Sequence, residues 1–342
     1  MNSKVIKFVA GGGKTTYSKK LLQQNKNGLY LAFTRKVVHD LKLDGYICKT
    51  IDSLFQQFLI PKLLVFLPLI VKGSRIEQVI ADDSNFINLN ARKIRLDLEG
   101  NICNGNKRTG ISIFDTHQSL YNKTNFQNEK AIKYIFGNNI LRITDTLRED
   151  ISSLLLKNYS DYIVEILNRR FEFIIIDEAQ DLKGYRETFA KKLFDSNINL
   201  YLLGDDNQNI MNGGTWFDSL TPDEIKNISH RCDENVCKWI RENLQISIYG
   251  KHKLFNFYNM QIGNINNYND GHRVLLYDSN RGGIKSIVSV WKGANYNIKE
   301  AKGMTIDEDI VIAGKSLNIK NYYTAITRGT KNVYSTITKI NK

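Results

Sequence analysis

Cysteine is scarce in this sequence, and the few thiols are poorly placed for a metal site. Four cysteines are scattered over 342 residues, and only Cys232 and Cys237 lie near each other, without a second cysteine pair. A structural zinc site needs four ligands, usually supplied as two closely spaced pairs. We therefore expect no zinc site, and we expect reduced thiols in a cytoplasmic compartment.

Long hydrophobic runs are also missing. The most apolar segment, Leu54–Val71, is interrupted by Pro61, Lys62 and Pro68. A membrane-spanning helix needs about 20 consecutive apolar residues, and the uninterrupted part of this segment is roughly half as long. The segment therefore predicts a buried pair of helices and no membrane partner. Nor do we expect a secretory signal, because the first residues lead directly into a strand-like segment.

Basic residues, in contrast, are in excess. The sequence has 48 Lys and Arg against 35 Asp and Glu, which gives a formal charge of +13. A positive excess of this size on a globular chain favours a polyanionic partner such as nucleic acid. The alternative is that an AT-rich gene enriches the protein in lysine and asparagine without any binding role.

The order of apolar and polar segments predicts an α/β fold. Four short apolar runs are typical of buried parallel strands: Val5–Ala10, Gly28–Phe33, Phe171–Ile176 and Asn199–Leu203. Each run ends in a polar or glycine-rich turn, and helix-like segments separate the runs. This alternation indicates a doubly wound parallel sheet, whose ligand-binding groups lie at the carboxyl ends of the strands.

A second, smaller α/β unit is predicted downstream. We place a first domain at residues 1–220, with an insertion at about 72–150, and a second at 221–342, with a short insertion at about 245–272. The elements predicted in the second domain are helices at Pro222–Leu244 and Ile319–Arg328 and strands at Val274–Tyr277 and Ile310–Ala313. A chain of this length can bury a separate core in each domain.

A glycine-rich loop follows the first predicted strand. Its residues are Ala10, Gly11, Gly12, Gly13, Lys14, Thr15 and Thr16, and a helix-like segment comes next. Glycines allow successive backbone N–H groups to turn around phosphate oxygens at the positive end of a helix. We expect Lys14 to neutralise the β- and γ-phosphates of a nucleotide and the Thr15 hydroxyl to ligate Mg²⁺. The full pattern has glycine or another small residue where this sequence has Phe8.

Two adjacent carboxylates follow the third predicted strand. Asp177 and Glu178 come directly after the apolar run Phe173–Ile176. At the carboxyl end of a strand, one carboxylate can hold Mg²⁺ while the other orients and deprotonates an attacking water. We assign the first role to Asp177 and the second to Glu178. Together with the phosphate loop, this pair predicts hydrolysis of a nucleoside triphosphate.

These motifs and several others resemble those of the superfamily 1 helicases, particularly the UvrD/Rep branch. Ala32–Lys36 is similar to a family segment whose Phe and Thr contact single-stranded nucleic acid, a role that falls here on Phe33 and Thr34. Thr50–Ser53 is similar to the next family segment, so the resemblance also places Thr50 at the nucleic acid.

Two further features lie downstream in the family order. Leu203–Gln208 is similar to a Gly-Asp-Asp-x-Gln motif whose glutamine senses the γ-phosphate, and the resemblance assigns this role to Gln208. Trp216 stands where the family has an aromatic residue that stacks on a base. Such stacking contributes roughly 1–3 kcal/mol per base and tolerates any sequence. The alternative is that Trp216 belongs to the core.

The second predicted domain supplies the remaining motifs. His230 and Arg231 match a family Tyr-Arg pair that stacks on adenine and contacts the γ-phosphate. Lys302 and Gly303 match a Lys-Gly pair, which implies a nucleic-acid contact for Lys302 and a nucleotide contact for Gly303. Arg328 ends the last motif and takes the place of a second phosphate-contacting arginine.

The resemblance implies a fold, a substrate and an activity. It implies two RecA-like P-loop NTPase domains with parallel sheets, a small insertion in the first, and a cleft that closes on ATP and Mg²⁺. The interval between Arg231 and Lys302 is too short for the large accessory subdomain of bigger relatives, which implies a reduced motor core. The implied activity is ATP-dependent translocation and strand separation, with single-stranded DNA favoured over RNA and 3′→5′ polarity.

Two alternatives stay open at the level of sequence. The compact size and Thr305 also resemble viral superfamily 1 RNA helicases. A nucleic-acid-binding subunit with a slow, regulatory ATPase is the second alternative, and Phe8 and the small size favour it. A small-molecule kinase would share the phosphate loop, but it would not explain Gln208 and Arg328 arriving in the helicase order.

Overall fold

A computed structural model gives the structure of the chain. It describes residues 3–24, 27–41, 46–79, 89, 91–123, 128–211, 213–279 and 282–341. The chain forms two compact units, here called the two-sheet unit and the intervening unit. The two-sheet unit consists of Asn2–Cys48, Phe173–Leu182 and Asn199–Lys342, and the intervening unit consists of Lys49–Glu172 and Lys183–Ile198.

Strands and helices alternate along much of the described chain. The strands are β1 Ser3–Phe8, β2 Gly28–Ala32, β3 Ile47–Thr50, β4 Arg75–Gln78, β5 Ile94–Leu96, β6 Asn101–Asn104, β7 Lys107–Ser112, β8 Ile140–Ile143, β9 Phe173–Ile176, β10 Asn199–Gly204, β11 Glu224–Lys226, β12 Ile228–Ser229, β13 Tyr249–Gly250, β14 Phe257–Asn259, β15 Val274–Tyr277, β16 Asn295–Asn297, β17 Ile310–Ala313, β18 Ser316–Asn318, β19 Val333–Ser335 and β20 Lys339–Asn341. The α-helices are Lys14–Gln24, Arg35–Leu41, Ile51–Leu54, Ile60–Leu63, Ser119–Asn122, Glu129–Phe136, Asp145–Arg170, Tyr185–Phe194, Trp216–Ser219, Glu234–Leu244, Gly283–Val290, Ile298–Ala301 and Ile319–Ile326. A π-helix lies at Phe55–Leu59, and 3-10 helices lie at Leu64–Phe66, Ala91–Lys93, Ala179–Asp181, Asp206–Gln208 and Ile262–Tyr268.

The first sheet has six strands in the order β11-β1-β10-β9-β2-β3. Four neighbouring pairs in this sheet are parallel: β11 with β1, β1 with β10, β10 with β9, and β9 with β2. Strands β2 and β9 are buried along their whole length, as expected of apolar strands covered on both faces. Their core joins Tyr30 and Ile175 to Leu22 of the helix that follows β1. The four apolar runs predicted to be strands are confirmed as β1, β2, β9 and β10, with small shifts at their ends.

The second sheet has five strands in the order β14-β19-β17-β15-β16, and every neighbouring pair is parallel. Strands β15 and β17 are fully buried, which confirms both predicted strands. Leu276 and Ile312 pack in one core with Ile240, Tyr322 and Tyr323 from neighbouring helices. The predicted α/β class with parallel sheets is therefore confirmed.

One predicted helix is helical only in its second half. The structure has a helix at Glu234–Leu244, which the Asp233 side chain caps by accepting a hydrogen bond from the Asn235 N–H. Upstream of it, β11 pairs with β1, so the prediction of a helix from Pro222 onward was wrong. The conformation of β11 depends on pairing with a neighbouring strand, because Ile225 is exposed and no apolar run marks the segment.

The intervening unit contains the antiparallel sheet β5-β6-β7 and the parallel pair β4 and β8. Its long helix, Asp145–Arg170, is kinked at Tyr159, where φ is −135° and ψ is 26°. The Tyr159 ring stacks on Phe66 with a centroid distance of 4.4 Å. The segment predicted as a buried helix pair, Leu54–Val71, is a succession of short α-, π- and 3-10 helices up to Phe66. Among the described residues, no helix combines the length and apolar character needed to cross a membrane.

Asp52 is the centre of a charged cluster in the intervening unit. Its carboxylate accepts hydrogen bonds from Arg186 Nε at 2.6 Å, Tyr185 OH at 2.6 Å and Arg148 Nη2 at 3.0 Å. Burial raises the pKa of Asp52, but the hydrogen bonds from Arg186 and Tyr185 and the charges of both arginines outweigh it and lower the pKa. The cluster joins the short helix that contains Asp52 to two longer helices of this unit.

Candidate functional site

The predicted phosphate loop lies between β1 and the helix Lys14–Gln24. Gly11 and Gly13 have positive φ angles of 68° and 87°, a backbone conformation that glycine adopts at little cost. A side chain at Gly11 would meet a second obstacle, since its Cβ would lie 2.6 Å from Arg231 Cβ and 2.8 Å from Ser229 Oγ. The loop requires glycine at this point because the segment that carries Arg231 packs directly against it.

Two hydrogen bonds anchor the loop to other parts of the two-sheet unit. The His230 N–H donates to the Gly11 carbonyl at 2.9 Å. The Ala10 N–H donates to the phenol oxygen of Tyr323 at 2.9 Å. The loop is therefore held by the segment before Arg231 and by a helix from the second half of the chain.

A cleft of about 380 Å³ opens at the loop. The predicted site residues that line it are Gly11, Gly12, Gly13, Lys14, Thr15, Asp177, Glu178, Gln208, His230, Arg231, Gly303 and Arg328. Two predicted nucleotide contacts lie outside this lining: Ala10 is buried, and Thr16 lines a neighbouring cavity with Tyr17 and Lys226. The structure thus brings most of the predicted nucleotide-binding residues together, although they come from distant parts of the sequence.

Asp177 and Glu178 lie at the carboxyl end of β9. Asp177 is 3% exposed, and its carboxylate accepts a hydrogen bond from Tyr30 OH at 2.5 Å. Glu178 Oε1 lies 3.5 Å from Lys14 Nζ. Burial and the neighbouring Glu178 charge raise the pKa of Asp177. Burial acts in the same direction on Glu178, but the charges of Lys14 and Lys302 outweigh it and lower its pKa, so Glu178 loses its proton more readily than Asp177 does.

Gln180 connects the carboxylate pair to the turn after β10. It is fully buried, its Nε2 donates to Glu178 Oε2 at 2.6 Å, and its Oε1 accepts from the Asp205 N–H at 3.1 Å. The Gln208 N–H donates in turn to the Asp205 carbonyl at 2.9 Å. The Gln180 side chain therefore sets the position of Glu178 relative to the turn that carries Gln208. The sequence alone assigned no role to Gln180, which lies two residues after Glu178.

Two arginines form a positive wall of the cleft. Arg328 is 1% exposed, and it donates from Nε to Thr324 O at 3.1 Å and from Nη1 to Met304 O at 3.4 Å. Arg231 Nη1 donates to Thr327 O at 3.1 Å. Burial, followed by repulsion from Arg231, lowers the pKa of Arg328 to about 10, so Arg328 remains charged at neutral pH. Carbonyl oxygens do not neutralise a guanidinium charge, and this side of the cleft can therefore bind an anion.

Part of the predicted nucleic-acid contact set is grouped. Phe33, Thr34 and Lys302 line a small cavity of about 100 Å³ in the two-sheet unit. Trp216 does not line this cavity and is half-buried at the start of the helix Trp216–Ser219. The structure therefore brings three of the predicted contacts together in one cavity, and Trp216 is not among the residues that line it.

Thr50 lies in the intervening unit, where it caps a helix. It is 7% exposed, and its hydroxyl oxygen accepts a hydrogen bond from the Ser53 N–H at 3.0 Å. A threonine in this position satisfies an otherwise unpaired backbone donor at the start of the helix Ile51–Leu54. Its contact with nucleic acid stays a prediction.

The Lys302 ammonium is bound within the protein. Lys302 Nζ lies 2.6 Å from each carboxylate oxygen of Asp181 and 2.7 Å from the Gln208 carbonyl oxygen. Asp181 is 2% exposed. Sequence reasoning missed this ion pair, and no local pattern marks it, because its partners come from three separate motifs.

The residues of the cleft fit a nucleotide with Mg²⁺. The glycine loop and the start of the helix Lys14–Gln24 offer backbone N–H groups to phosphate oxygens. The exposed Thr15 and the Asp177 carboxylate supply oxygen ligands, and Mg²⁺ commonly uses one or two protein ligands together with substrate phosphates and water. In the part of the chain that the structure describes, His, Cys, Asp and Glu form no cluster of three that could hold a metal, and a substrate-bound ion does not need one.

Comparison with protein families matches one part of the chain. Residues 72–212 match the UvrD/REP helicase N-terminal domain. The matched part contains Asp177, Glu178 and Gln208 of the cleft. The resemblance to the UvrD/Rep branch of the superfamily 1 helicases is thereby confirmed, and no curated protein sequence matches the chain.

Several solved helicase structures are similar to this chain. Arterivirus nonstructural protein 10 is 13% identical, with a TM-score of 0.47 over 97% of this chain and 59% of its own. A PRRSV helicase is 13% identical, with a TM-score of 0.46 over 98% of this chain and 52% of its own. The arterivirus protein in complex with DNA is 13% identical, with a TM-score of 0.46 over 97% and 60%. The chain therefore spans between 52% and 60% of the length of these helicases.

Proposed function

We propose that this chain is an ATP-driven motor that translocates on single-stranded nucleic acid and separates duplexes. One observation carries the proposal: residues that we assign to phosphate binding, drawn from both predicted domains, line a single cleft. Lys14 and Glu178 come from the first domain, and Arg231 and Arg328 come from the second. A γ-phosphate that residues of both domains hold draws the two domains together, and hydrolysis of the nucleotide releases them.

The substrate of the proposed reaction is ATP. The backbone of Gly11–Gly13 and the Lys14 ammonium hold the β- and γ-phosphates. Burial lowers the pKa of Lys14, but Glu178, Asp177 and Asp205 outweigh it and raise the pKa, so Lys14 stays charged. Thr15 and Asp177 would hold Mg²⁺, which would neutralise phosphate charge.

The remaining cleft residues divide the chemistry. Glu178 is ionised and is the group that accepts a proton from the attacking water. Gln208 senses the γ-phosphate. Arg231 and Arg328 stabilise the charge that spreads over the transferred phosphoryl oxygens, and arginine suits this task because its planar fork can donate to two oxygens at once. The exposed His230 offers a planar ring to the base.

The proposed track is a single strand, with DNA favoured over RNA and 3′→5′ polarity as in the UvrD/Rep branch. The cavity that Phe33, Thr34 and Lys302 line, together with the half-buried Trp216, supports this part of the proposal. A formal charge of +13 adds long-range attraction for a polyanion.

The domain limits and the location belong to the same proposal. We keep a first domain at residues 1–220 and a second at 221–342. A cytoplasmic location is supported by the cysteines, all four of which are free.

An ATPase assay with and without single-stranded DNA or RNA tests the proposal. We expect turnover that single-stranded nucleic acid stimulates. Lys14→Ala, Glu178→Gln and Arg328→Lys each remove a phosphate-facing group or its geometry, and we expect each to lower kcat by at least about 100-fold. If none of the three variants changes turnover, the motor assignment is wrong.

A strand-displacement assay with each overhang polarity tests the track. We expect displacement from a 3′ single-stranded DNA overhang. Stimulation by RNA alone would replace DNA by RNA as the substrate. ATP turnover without displacement on any substrate would favour a nucleic-acid-binding subunit with a regulatory ATPase.

A further inference from the structure

The buried side chain of Tyr323 connects two segments of the cleft through hydrogen bonds, a role that the sequence does not predict. It belongs to the helix Ile319–Ile326, and its side chain is 0% exposed. Its phenol oxygen accepts a hydrogen bond from the Ala10 N–H at 2.9 Å and donates one to Asp205 Oδ2 at 3.1 Å. Burial raises the pKa of Tyr323 well above its ordinary value, so the phenol keeps its proton and acts as donor and acceptor together.

Both partners of this phenol belong to elements whose residues line the cleft. Ala10 opens the glycine loop that ends in Lys14. Asp205 begins the turn of Gln208, and its other carboxylate oxygen accepts the Asn207 N–H at 3.1 Å. The phenol therefore links the start of the loop to the turn that carries the γ-phosphate sensor.

The helix of Tyr323 also leads to the buried arginine of the cleft. The Arg328 N–H donates to Ala325 O at 3.2 Å, and Arg328 Nε donates to Thr324 O at 3.1 Å. The guanidinium is thus attached to the last turn of the helix that Tyr323 fixes against Ala10 and Asp205. A displacement of Tyr323 would move Arg328 relative to the loop.

We propose that Tyr323 is a positioning residue that sets the distance between the phosphate loop, the turn of Gln208 and Arg328. The proposal rests on the proposed ATPase function, because it concerns the geometry of the same site. Tyr323 is not among the residues that line the cleft, so it acts through Ala10 and Asp205. Small misplacements of reacting groups lower rates strongly even when substrate binding is retained.

The neighbouring tyrosine provides a matched control. Tyr322 lies in the same helix, is also 0% exposed, and shares a hydrogen bond of 2.7 Å with the Ser335 hydroxyl. Ser335 belongs to β19 of the second sheet, and neither residue lines the cleft. Tyr322→Phe and Tyr323→Phe therefore each remove a buried phenol hydroxyl, but only Tyr323→Phe removes a hydrogen bond to the glycine loop.

Steady-state ATPase kinetics and thermal unfolding of the two variants form the first test. We expect Tyr323→Phe to lower kcat about tenfold with less than about a threefold change in KM, since the groups that bind ATP are retained. Tyr322→Phe should stay within about twofold of the wild type in both constants. Equal kinetics for the two variants, or losses that follow only their unfolding temperatures, would overturn the proposal.

Hydrogen–deuterium exchange of the full chain provides a test that does not depend on turnover. We expect the amides of residues 9–14 to exchange faster in Tyr323→Phe and at the wild-type rate in Tyr322→Phe, because only the former frees the Ala10 N–H. Unchanged exchange in Tyr323→Phe would sink the positioning role. If the wild-type protein hydrolyses no ATP, the proposed function fails, while exchange and the affinity for a non-hydrolysable ATP analogue still decide whether Tyr323 sets the loop.

Discussion

Lys302 Nζ lies 2.6 Å from both carboxylate oxygens of Asp181, although 121 positions separate the two residues in the sequence. Their side chains are 11% and 3% exposed. Removing one partner of such a pair leaves the other charge without solvent or counterion. The pair therefore joins the motif after β9 to the segment that follows the helix Ile298–Ala301.

We expect Lys302→Ala to lower the free energy of unfolding by about 3 kcal/mol, because the Asp181 charge is then buried alone. Lys299→Ala removes an exposed lysine from the same segment and should change stability by no more than about 0.5 kcal/mol. Urea unfolding of both variants measures the difference. The ion pair contributes nothing if the two variants unfold at the same urea concentration.

We expect Gly11→Ala to weaken nucleotide binding at least about tenfold and to lower the free energy of unfolding by about 1–2 kcal/mol. The alanine would have to keep the positive φ of 68° found at Gly11, and its methyl group would lie only 2.6 Å from Arg231 Cβ. Gly263→Ala is the control, since no atom lies within 4 Å of its added Cβ and its φ is not positive. Titration with a fluorescent ATP analogue measures affinity, and equal affinity of the two variants would contradict the packing argument.

We expect Trp216→Ala to weaken binding of a single-stranded oligonucleotide about tenfold, which corresponds to the loss of one stacked base. Trp216→Phe keeps a flat ring and should retain most of the affinity. Fluorescence anisotropy at constant salt measures both variants. Should Trp216→Ala bind as tightly as the wild type, Trp216 is a structural residue, and the base-stacking role is wrong.

We expect Asp52→Asn to destabilise the protein at pH 7 and to lose this effect in acid. The pKa of Asp52 is lowered in the folded chain, so its carboxylate stabilises the fold above its unfolded pKa of about 4. That stabilisation disappears as the pH falls through the folded pKa. The difference in unfolding temperature between wild type and variant should therefore be largest near pH 7 and shrink below about pH 4. Asp161→Asn, at an exposed site, should show no such trend.

The strands that can be predicted from the sequence are those that are apolar over their whole length. Gly28–Ala32 and Phe173–Ile176 bury every residue, and the same holds for Val274–Tyr277 and Ile310–Ala313, so hydrophobicity alone locates them. Hydrophobicity does not locate β11, because its side chains are exposed or half-buried. Only its pairing with β1 makes it a strand.

The candidate site is predictable as a set of residues but not as a set of contacts. Phe8 departs from the phosphate-loop pattern, and the structure gives the reason: its ring is 3% exposed and packs edge-on against Tyr17 at a centroid distance of 5.7 Å. It therefore belongs to the core of the first sheet rather than to the lining of the cleft. The contacts of Lys302 and Tyr323 depend on how distant segments meet, and a sequence pattern carries no record of that.

The pairing of β11 with β1 determines where the chain can be cut into stable fragments. Asp223 accepts the Val5 N–H at 2.7 Å and donates its own N–H to the Val5 carbonyl, and the Val9 N–H donates to Lys226 O at 2.9 Å. A fragment that stops at residue 220 would leave one side of β1 with unpaired backbone groups. Open edges of this kind attract strands from other molecules. A soluble fragment that carries the proposed first domain, residues 1–220, would therefore have to continue through at least Lys226, so that β11 covers β1.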